Sequence, residues 1–339
     1  MIKKVSILIF CWGVYLNVNA QDPFLSQAHG TAQFLSPASV GTGVFASRLQ
    51  SNYRSQPFDD GSLIKTIVVG WDTKINNQNP EVKNYLGVGG VIVSDQLMNG
   101  IMQTNYATLN AAYHMFFDKD VKRKLALGMG VTFAQSSLQL NRLKFYDQFN
   151  QGSFTENSQS ISLQNLKGSA SSVSVSSGLL YTSHLQTSFM QMGASAFFVT
   201  KPEMSISKDY GTSSFRSVMF FNFEKESDDN DKTLMLHASF NQRSNSEQSK
   251  QVLVGGAISF PFGNNYEYIN RIYTGLFYRV GDAVIPQVTI LLNKHRFGLS
   301  YDYFNKILTS AELNRTCFEF SFSTSLGKRK YEYLRTIFD

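Results

Sequence analysis

The chain has 339 residues, which allows one large domain or two ordinary ones, and a net charge of +6 from 31 basic and 25 acidic residues. This modest excess gives no case for a nucleic-acid partner, which needs clustered Lys and Arg. Aromatic residues make up 14% of the chain, while its mean hydropathy is close to neutral. That combination is typical of outer-membrane β-barrels, in which every second strand residue faces inward and dilutes the apolar ones.

The chain begins with the order of a secretory signal peptide. A basic start at residues 1–4 precedes an apolar run at 5–16, and the small or compact residues Val18, Asn19 and Ala20 follow. The run is too short to span a bilayer of about 30 Å as a helix. A buried first strand or helix is the alternative, but two lysines before an unpatterned apolar run favour export. We expect cleavage after Ala20.

The rest of the chain contains no predicted transmembrane helix, because no stretch past residue 20 approaches about 18 consecutive apolar residues. Cys317 is alone in the mature chain, so it cannot form an internal disulfide. Cys11 lies in the apolar run behind Phe10 instead of behind a small residue, which argues against a lipoprotein signal. The cysteines therefore agree with export and leave stability to noncovalent contacts.

Alternation of side-chain type is the main structural signal. Across residues 124–134 the odd positions carry large apolar side chains and the even positions small or polar ones. Phe318, Phe320 and Phe322 alternate with polar or small neighbours in the same way, as do serines and valines near residue 174. This period of two predicts strands with two unlike faces. A soluble β-sandwich alternates too, so alternation alone does not decide between the two architectures.

Segment number and length favour a transmembrane antiparallel barrel, in the all-β class. We predict about fourteen strands of around ten residues each, an even number of segments long enough to cross the hydrocarbon layer when tilted. The predicted strands are 42–54, 63–75, 85–95, 104–118, 123–136, 170–182, 187–200, 213–223, 232–242, 251–260, 270–280, 283–292, 295–304 and 316–326.

Connection lengths predict how the barrel is oriented. If the first strand runs outward, the periplasmic turns are short and the outer loops long, as is the rule for bacterial barrels. The short periplasmic turns are 118–123, 183–186 and 293–294. The long outer loops are 137–169, 201–212 and 305–315. Two connections depart from the rule, namely the short outer turn 281–282 and the longer inner one 224–231.

No catalytic or metal-binding signature is present in the sequence. His29, His114, His184, His237 and His295 are scattered singly, without the spacing of a metal site. The glycines at 87–90 and 128–130 are not followed by the Gly-Lys-Ser/Thr of a phosphate loop. Glycine on an inward strand face instead makes room for a plug, a loop or a close backbone approach. Without a Gly-x-Ser-x-Gly elbow, the serines near 169–177 indicate a polar lumen face.

Two segments keep alternative readings. The acidic segment 224–231 lacks the glycine and the distal glutamate of a calcium loop, so a solvated turn is favoured there. In the long outer loop, the basic Arg142 and Lys144 stand beside Phe145, Tyr146 and Phe149. That mixture suits a protein or glycan partner, and equally a loop that folds back on its own aromatic residues.

Several short motifs, in this order, resemble the PorP/SprF family of membrane proteins, which serve the type IX secretion system of Bacteroidetes. The opening Asp-Pro-Phe-Leu-Ser-Gln at 22–27 and Ser-Pro-Ala at 36–38 are followed by Tyr-Arg-Ser-Gln at 53–56, Tyr-Arg-Val-Gly-Asp at 278–282 and Phe-Glu-Phe-Ser at 318–321. The positions that carry the resemblance are Asp22, Pro23, Ser26, Gln27, Pro37, Gly41, Gln56, Asp95, Arg279, Asp282, Tyr301 and Asp302. The chain departs from the family at Ser36, usually Asn, and at the extra Leu25.

We predict a division into a signal peptide (1–20), a periplasmic or lumen segment (21–41), a barrel (42–326) and a tail (327–339). The resemblance implies a non-enzymatic outer-membrane component without a cofactor, which docks or anchors secreted adhesin-type cargo. The implied partners are membrane lipid, cargo with a conserved C-terminal domain and other secretion components, and no nucleic acid. The alternative is a passive transporter for hydrophobic or small solutes, in which the segment before the first strand is a plug. An outer-membrane hydrolase is a third possibility, against which the scattered histidines argue.

Overall fold

The computed structural model describes residues 25–27, 29–76, 83–118, 120, 122–143, 148–150, 153–154, 166–185, 187–207, 210–212, 215–227, 232–244, 250–263, 270–304, 315–329 and 336–338. Fourteen strands in this part form one closed barrel, in which each strand is antiparallel to the next barrel strand along the chain. The last strand pairs with the first and closes the sheet. None of the helices described is long and apolar enough to cross a membrane.

The strands are numbered in chain order. The barrel consists of β1 (Phe45–Pro57), β2 (Leu63–Asn76), β3 (Tyr85–Leu97), β4 (Met102–Phe116), β5 (Arg123–Leu138), β8 (Ser169–His184), β9 (Ser188–Phe197), β12 (Arg216–Glu226), β13 (Thr233–Arg243), β14 (Lys250–Phe262), β15 (Asn270–Arg279), β16 (Ala283–Leu292), β17 (His295–Phe304) and β18 (Thr316–Arg329). Two small hairpins lie between barrel strands, formed by β6 (Phe149–Asn150) with β7 (Ser153–Phe154) and by β10 (Glu203–Ser207) with β11 (Tyr210–Thr212).

The predicted fold class and strand number are confirmed, since each of the fourteen predicted segments overlaps one barrel strand. The two small hairpins, which lie within the predicted outer loops 137–169 and 201–212, were not predicted from the sequence. The first strand begins at Phe45 instead of residue 42, since residues 42–44 turn into the barrel. Strand β9 ends at Phe197 instead of 200, because Phe198 and Lys201 have positive φ angles of 54° and 44° that break the extended backbone.

The two faces of the barrel wall carry opposite chemistry. On β5, Leu127, Met129 and Val131 are 52%, 66% and 54% exposed, whereas Ala126 and Ala134 are buried. On β18 the phenylalanines point outward, and Cys317, Glu319, Ser321 and Ser323 are buried inside. An apolar exterior around a polar interior is the reverse of a soluble sandwich, whose core holds the apolar face. The exposed apolar band therefore matches a lipid environment.

The connections also follow the predicted alternation. We use proximal for the barrel end at which β1 begins and β18 ends, and distal for the opposite end. The proximal turns include the short 185–187 and 293–294, and the distal connections include the long 139–168, 198–215 and 305–315. The proximal end corresponds to the predicted periplasmic side.

The reading of 224–231 as a solvated turn or a calcium loop is wrong at its start. Strand β12 continues through Glu226, and Glu224 is fully buried inside the barrel, where it accepts a hydrogen bond from the Tyr273 hydroxyl at 2.6 Å. The prediction failed because it read an inward-facing strand residue as part of the turn. Asp228, Asp229 and Asp231 lie outside the described residues.

The lipid-facing assignment predicts how a charge will act in the middle of the wall. We expect Val131→Arg, near the centre of β5, to lower the free energy of unfolding in a bilayer by about 2–4 kcal/mol. The matched variant Phe117→Arg, at the exposed proximal rim, should cost only about 0–1 kcal/mol. Urea unfolding in lipid vesicles measures both values, and equal costs at the two sites would contradict the assignment.

Candidate functional site in the barrel lumen

The lumen is occupied by the chain's own N-terminal segment, residues 25–44, which we call the plug; Ala28 within it lies outside the described residues. Two 3₁₀ turns, Ala32–Phe34 and Pro37–Ser39, make the plug compact. The second turn begins at Ser36, whose hydroxyl accepts a hydrogen bond from Ala38 N at 3.2 Å, with Pro37 at the first helical position. Both residues are favoured at helix starts, so the local sequence dictates this turn.

The first anchor of the plug is a carboxylate on the barrel wall. The Glu319 side chain accepts hydrogen bonds from two consecutive backbone N–H groups, Ser26 N at 2.7 Å and Gln27 N at 2.9 Å. The Gln27 amide nitrogen returns a bond to the Glu319 carbonyl at 2.9 Å, and Ser321 donates to the other end of that amide. Glu319 thereby fixes both the position and the direction of the plug.

The second anchor places a plug hydroxyl among three wall charges. Ser26 Oγ donates to Asp302 Oδ2 at 2.8 Å and accepts from Arg54 Nη1 at 2.6 Å and Arg279 Nη2 at 2.7 Å. Arg279 also pairs with Asp302 at 2.9 Å, and Arg54 with Glu319 at 3.3 Å. All these side chains are buried. Two guanidinium groups thus balance two carboxylates, and Ser26 lies between them.

We call these four wall residues, Arg54, Arg279, Asp302 and Glu319, the charge cluster. Removing one member of a buried ion pair is costly because the remaining charge stays out of water without its partner. The cluster continues toward the distal end, where Asp282 accepts from Arg279 at 3.1 Å and forms an ion pair with Arg315.

The end of the plug is held by a separate set of bonds at the proximal half of the barrel. Gly41, with a φ of +73°, makes the turn there, and its N–H donates to Asp72 Oδ1 at 2.9 Å. Its carbonyl accepts from the Tyr85 hydroxyl at 2.8 Å, while Lys124 Nζ donates to Thr42 O at 3.0 Å and His114 to Val40 O at 2.8 Å. The plug is therefore fixed at both ends.

Glycines in the wall give the plug its space, as predicted for inward-facing glycines. A Cβ on Gly87 would overlap the Val40 carbonyl, and one on Gly128 would overlap the backbone of Ala38. The neighbouring Gly130 has a different role, because its Cβ would meet Asn110 and Ser176 of adjacent strands.

The structure brings together some of the positions that carry the family resemblance and separates others. Ser26, Gln27, Arg279, Asp282 and Asp302 meet at the charge cluster, and Gln56 accepts a bond from Arg54 at 3.1 Å. Pro37 and Gly41 lie farther along the plug. Asp95 lies apart, bonded to Thr66 at 2.6 Å, and Tyr301 is 42% exposed on the lipid-facing wall. Asp22, Pro23 and the cleavage site after Ala20 lie outside the described residues.

Arg54 and Glu319 were missed as site residues, although both stood within the quoted motifs. The sequence shows only that both are charged residues at inward-facing strand positions. It does not show which charged residues contact each other. Arg315 was missed altogether.

The histidines do not assemble into a site. His29 belongs to the plug and lies near His237, whereas His114 and His184 are both buried near Lys124, and His295 starts β17. Burial and the nearby Arg296 charge hold the pKa of His29 well below its usual value, so its ring is neutral at neutral pH. Among the described residues, no group of three or more His, Cys, Asp and Glu is placed to hold a metal ion.

A pocket of about 50 Å³ lies on the distal side of the plug. Phe34 of the plug forms part of it, and the guanidinium of Arg216 packs 4.6 Å from that ring and 4.2 Å from the ring of Phe197. Tyr106 and Phe198 contribute a further aromatic pair, with ring centroids 6.0 Å apart. Apolar and aromatic walls with a few placed polar groups are typical of ligand pockets.

Comparison with known families gives a match to a model described as type IX secretion system membrane protein PorP/SprF, over residues 17–323. No curated protein matches the chain.

Several solved barrels are similar in outline. A mutant of the TodX monoaromatic hydrocarbon channel has a TM-score of 0.49 at 10% identity, covering 86% of this chain and 93% of its own. A Pseudomonas aeruginosa FadL homologue has a TM-score of 0.47 at 8% identity, covering 89% and 98%. The translocator domain of NalP from Neisseria meningitidis has a TM-score of 0.42 at 11% identity, covering 89% and 96%. Because all these scores are below 0.5, the architecture rests on the strand pairing described above.

The charge cluster predicts a large effect from a small substitution. We expect Glu319→Gln to lower the free energy of unfolding by about 3–5 kcal/mol, because it leaves Arg54 buried with one counter-charge fewer. Tyr301→Phe, next to the cluster residue Asp302 in β17 but facing lipid, is the matched control and should unfold like the wild type. Chemical unfolding in detergent measures both variants. If Glu319→Gln lowered the free energy of unfolding only slightly, this result would show that the charge cluster does not hold the plug.

The wall glycines predict a way to displace the plug without changing a charge. In Gly128→Ala the new methyl group takes the place of the Ala38 backbone, so we expect the plug to move and residues 25–44 to become accessible to protease. Gly168→Ala is the control, since its Cβ would meet nothing closer than 3.9 Å. Limited proteolysis of the two proteins compares them directly; equal protection would contradict the tight fit.

Proposed function

Because this chain belongs to the PorP/SprF family of type IX secretion system membrane proteins, we propose that it is a non-enzymatic outer-membrane component that docks secreted cargo at the cell surface. Its outer-membrane location follows from the barrel with its apolar exterior and from the family. The proposed partners are membrane lipid, cargo with a conserved C-terminal domain, and other parts of the secretion machine. Export would begin with the cleaved signal peptide predicted at residues 1–20.

A plug fits either role, and what supports docking over transport is that this plug is bonded to the wall at both ends. A barrel of fourteen strands has room for a plug or a short segment, but not for a folded adhesin. The plug fills that room and is held by buried ion pairs at one end and by Asp72, Tyr85 and Lys124 at the other. A solute path through the lumen requires these contacts to break, and breaking buried pairs is expensive. Cargo is therefore expected to attach to the barrel from outside.

The distal pocket offers a place for such an attachment. It faces the end with the long connections, and its aromatic walls, formed by Phe34, Tyr106, Phe197 and Phe198, suit the side chains of a peptide segment. Buried aromatic side chains and arginines are the residues that most often dominate binding at protein interfaces.

Cell-surface display tests this proposal. Deleting the gene should abolish display of a specific cargo while uptake of small solutes stays unchanged. Unchanged display after deletion would rule out the docking role. Solute flux through liposomes that contain the purified barrel would favour the passive transporter instead.

The pocket itself is tested by complementing the deletion with variants. We expect Tyr106→Ala/Phe198→Ala to reduce cargo display about tenfold, as the loss of aromatic anchors at an interface does. Leu109→Ala, on the lipid-facing side of the same strand β4, removes a side chain that is 75% exposed and should leave display unchanged. Quantitative labelling of surface cargo at matched barrel levels measures the difference.

A further inference from the structure

The chain's last described residues, Thr336–Phe338, return into the barrel at its proximal end. They do not extend the sheet, because the pairing of β18 with β1 ends at Arg329 opposite Phe45. Ile337 is fully buried and Phe338 is 8% exposed. The tail therefore fills a pre-shaped part of the lumen on a tether, and we call that part the tail site.

The tail site binds the backbone of its occupant. Ile337 N donates to Glu224 Oε2 at 3.1 Å, and the Ile337 carbonyl accepts from Arg296. The Phe338 carbonyl accepts from Arg48 Nη1 at 3.3 Å. Three charged wall residues thus satisfy three backbone groups of two adjacent residues. Ile337 and Phe338 lie in a turn, and contacts of this kind recognise it through backbone groups that every residue carries.

The tail site also has apolar subsites for both side chains. The ring of Phe338 stacks on Phe189 with a centroid distance of 5.8 Å. Ile337 belongs to a buried apolar cluster that also includes Phe189, Met235, Tyr273, Ile285 and Phe338. These apolar subsites favour a branched aliphatic residue followed by an aromatic one.

The wall residues that bind the tail are themselves fixed by other contacts. Glu224 is held by the Tyr273 hydroxyl at 2.6 Å, and Arg48 by Asp72 at 3.0 Å. The site is therefore preorganised by the barrel and is not created by the tail, which lowers the cost of binding any peptide there.

We propose that the tail site is a peptide-binding site that the chain's own tail fills in cis, and that it accepts in trans a turn-forming segment of a partner on the proximal side with an aliphatic–aromatic pair. The proposal rests on the secretion role only for the setting in which that partner is met. The site lies at the proximal ends of β9, β12 and β15, so a segment from that side reaches it without displacing the plug.

Competition between tail and partner follows from the tether. The tail is covalently joined to β18 through residues 330–335, so its effective concentration at the tail site is on the order of 1 mM. If the tail's intrinsic dissociation constant is about 100 μM, its presence weakens the apparent affinity of the site for a free peptide about tenfold. A partner segment must overcome that factor, by binding more tightly or by being tethered itself.

The experiment uses the full chain in detergent and a fluorescent peptide with the sequence of residues 330–339. In the double variant Ile337→Ser/Phe338→Ser the tail lacks both apolar side chains that hold it in the site. We expect the peptide to bind this variant about tenfold more tightly than it binds the wild type. Adding Glu224→Gln should weaken binding about tenfold again, because a hydrogen bond to a charged acceptor is lost. Equal binding to wild type and double variant, or binding to neither, would overturn the proposal.

Two controls keep the result interpretable. A peptide with serine at the positions of Ile337 and Phe338 should not bind. If the double variant does not fold, as judged by its heat-dependent migration on a gel, Phe338→Ala replaces it in the same comparison. If the peptide binds but deletion of the gene leaves cargo display unchanged, the tail site is supported and the docking role is contradicted. If deletion abolishes display but the peptide does not bind, the docking role is supported and the tail site is contradicted.

Discussion

A buried carboxylate that binds two consecutive backbone N–H groups is the interaction on which the lumen depends. Glu319 accepts hydrogen bonds from the backbone N–H groups of Ser26 and Gln27, and it lies inside the barrel, where water no longer screens its charge. Such a carboxylate needs a counter-charge, which Arg54 supplies, and Arg54 is in turn shared with Asp302. This arrangement fixes the start of the plug, because residues 26 and 27 bond to Arg54, Arg279, Asp302 and Glu319.

The barrel could be predicted because the alternation that identifies its strands is a property of each short segment by itself. A strand that faces lipid on one side and a polar lumen on the other must alternate, and residues 124–134 show this pattern without any knowledge of their neighbours. Strand ends were less predictable where a nonlocal contact decides them. Residues 42–44 have strand-like neighbours, yet Lys124 and Lys74 bind their carbonyls and turn them inward. Glu224 was misread for the same reason, since its burial depends on Tyr273 and on the tail.

The candidate site could be predicted only in part, because its members are far apart in the chain. Ser26 and Asp302 are 276 residues apart, and Arg54 and Glu319 are 265 apart. Composition and periodicity place each of them on an inward face but do not pair them. The family resemblance selected Ser26, Gln27, Arg279 and Asp302, yet it gave no reason for their grouping. That reason is the plug, which no local pattern in residues 25–44 reveals.

The two segments inside the barrel are linked through shared arginines. Arg48 donates to the plug at Ser39 O and to the tail at Phe338 O, both at 3.3 Å. Arg296 donates to the plug at His29 O at 2.6 Å and also to Ile337 O. A guanidinium holds its donors in one rigid plane, so it cannot follow the tail without changing its bond to the plug. The tail site and the plug therefore share two wall arginines, and the plug forms part of the distal pocket through Phe34. In this way a contact made at the proximal end has a continuous physical route, through two arginines and one short segment, to the opposite face of the barrel.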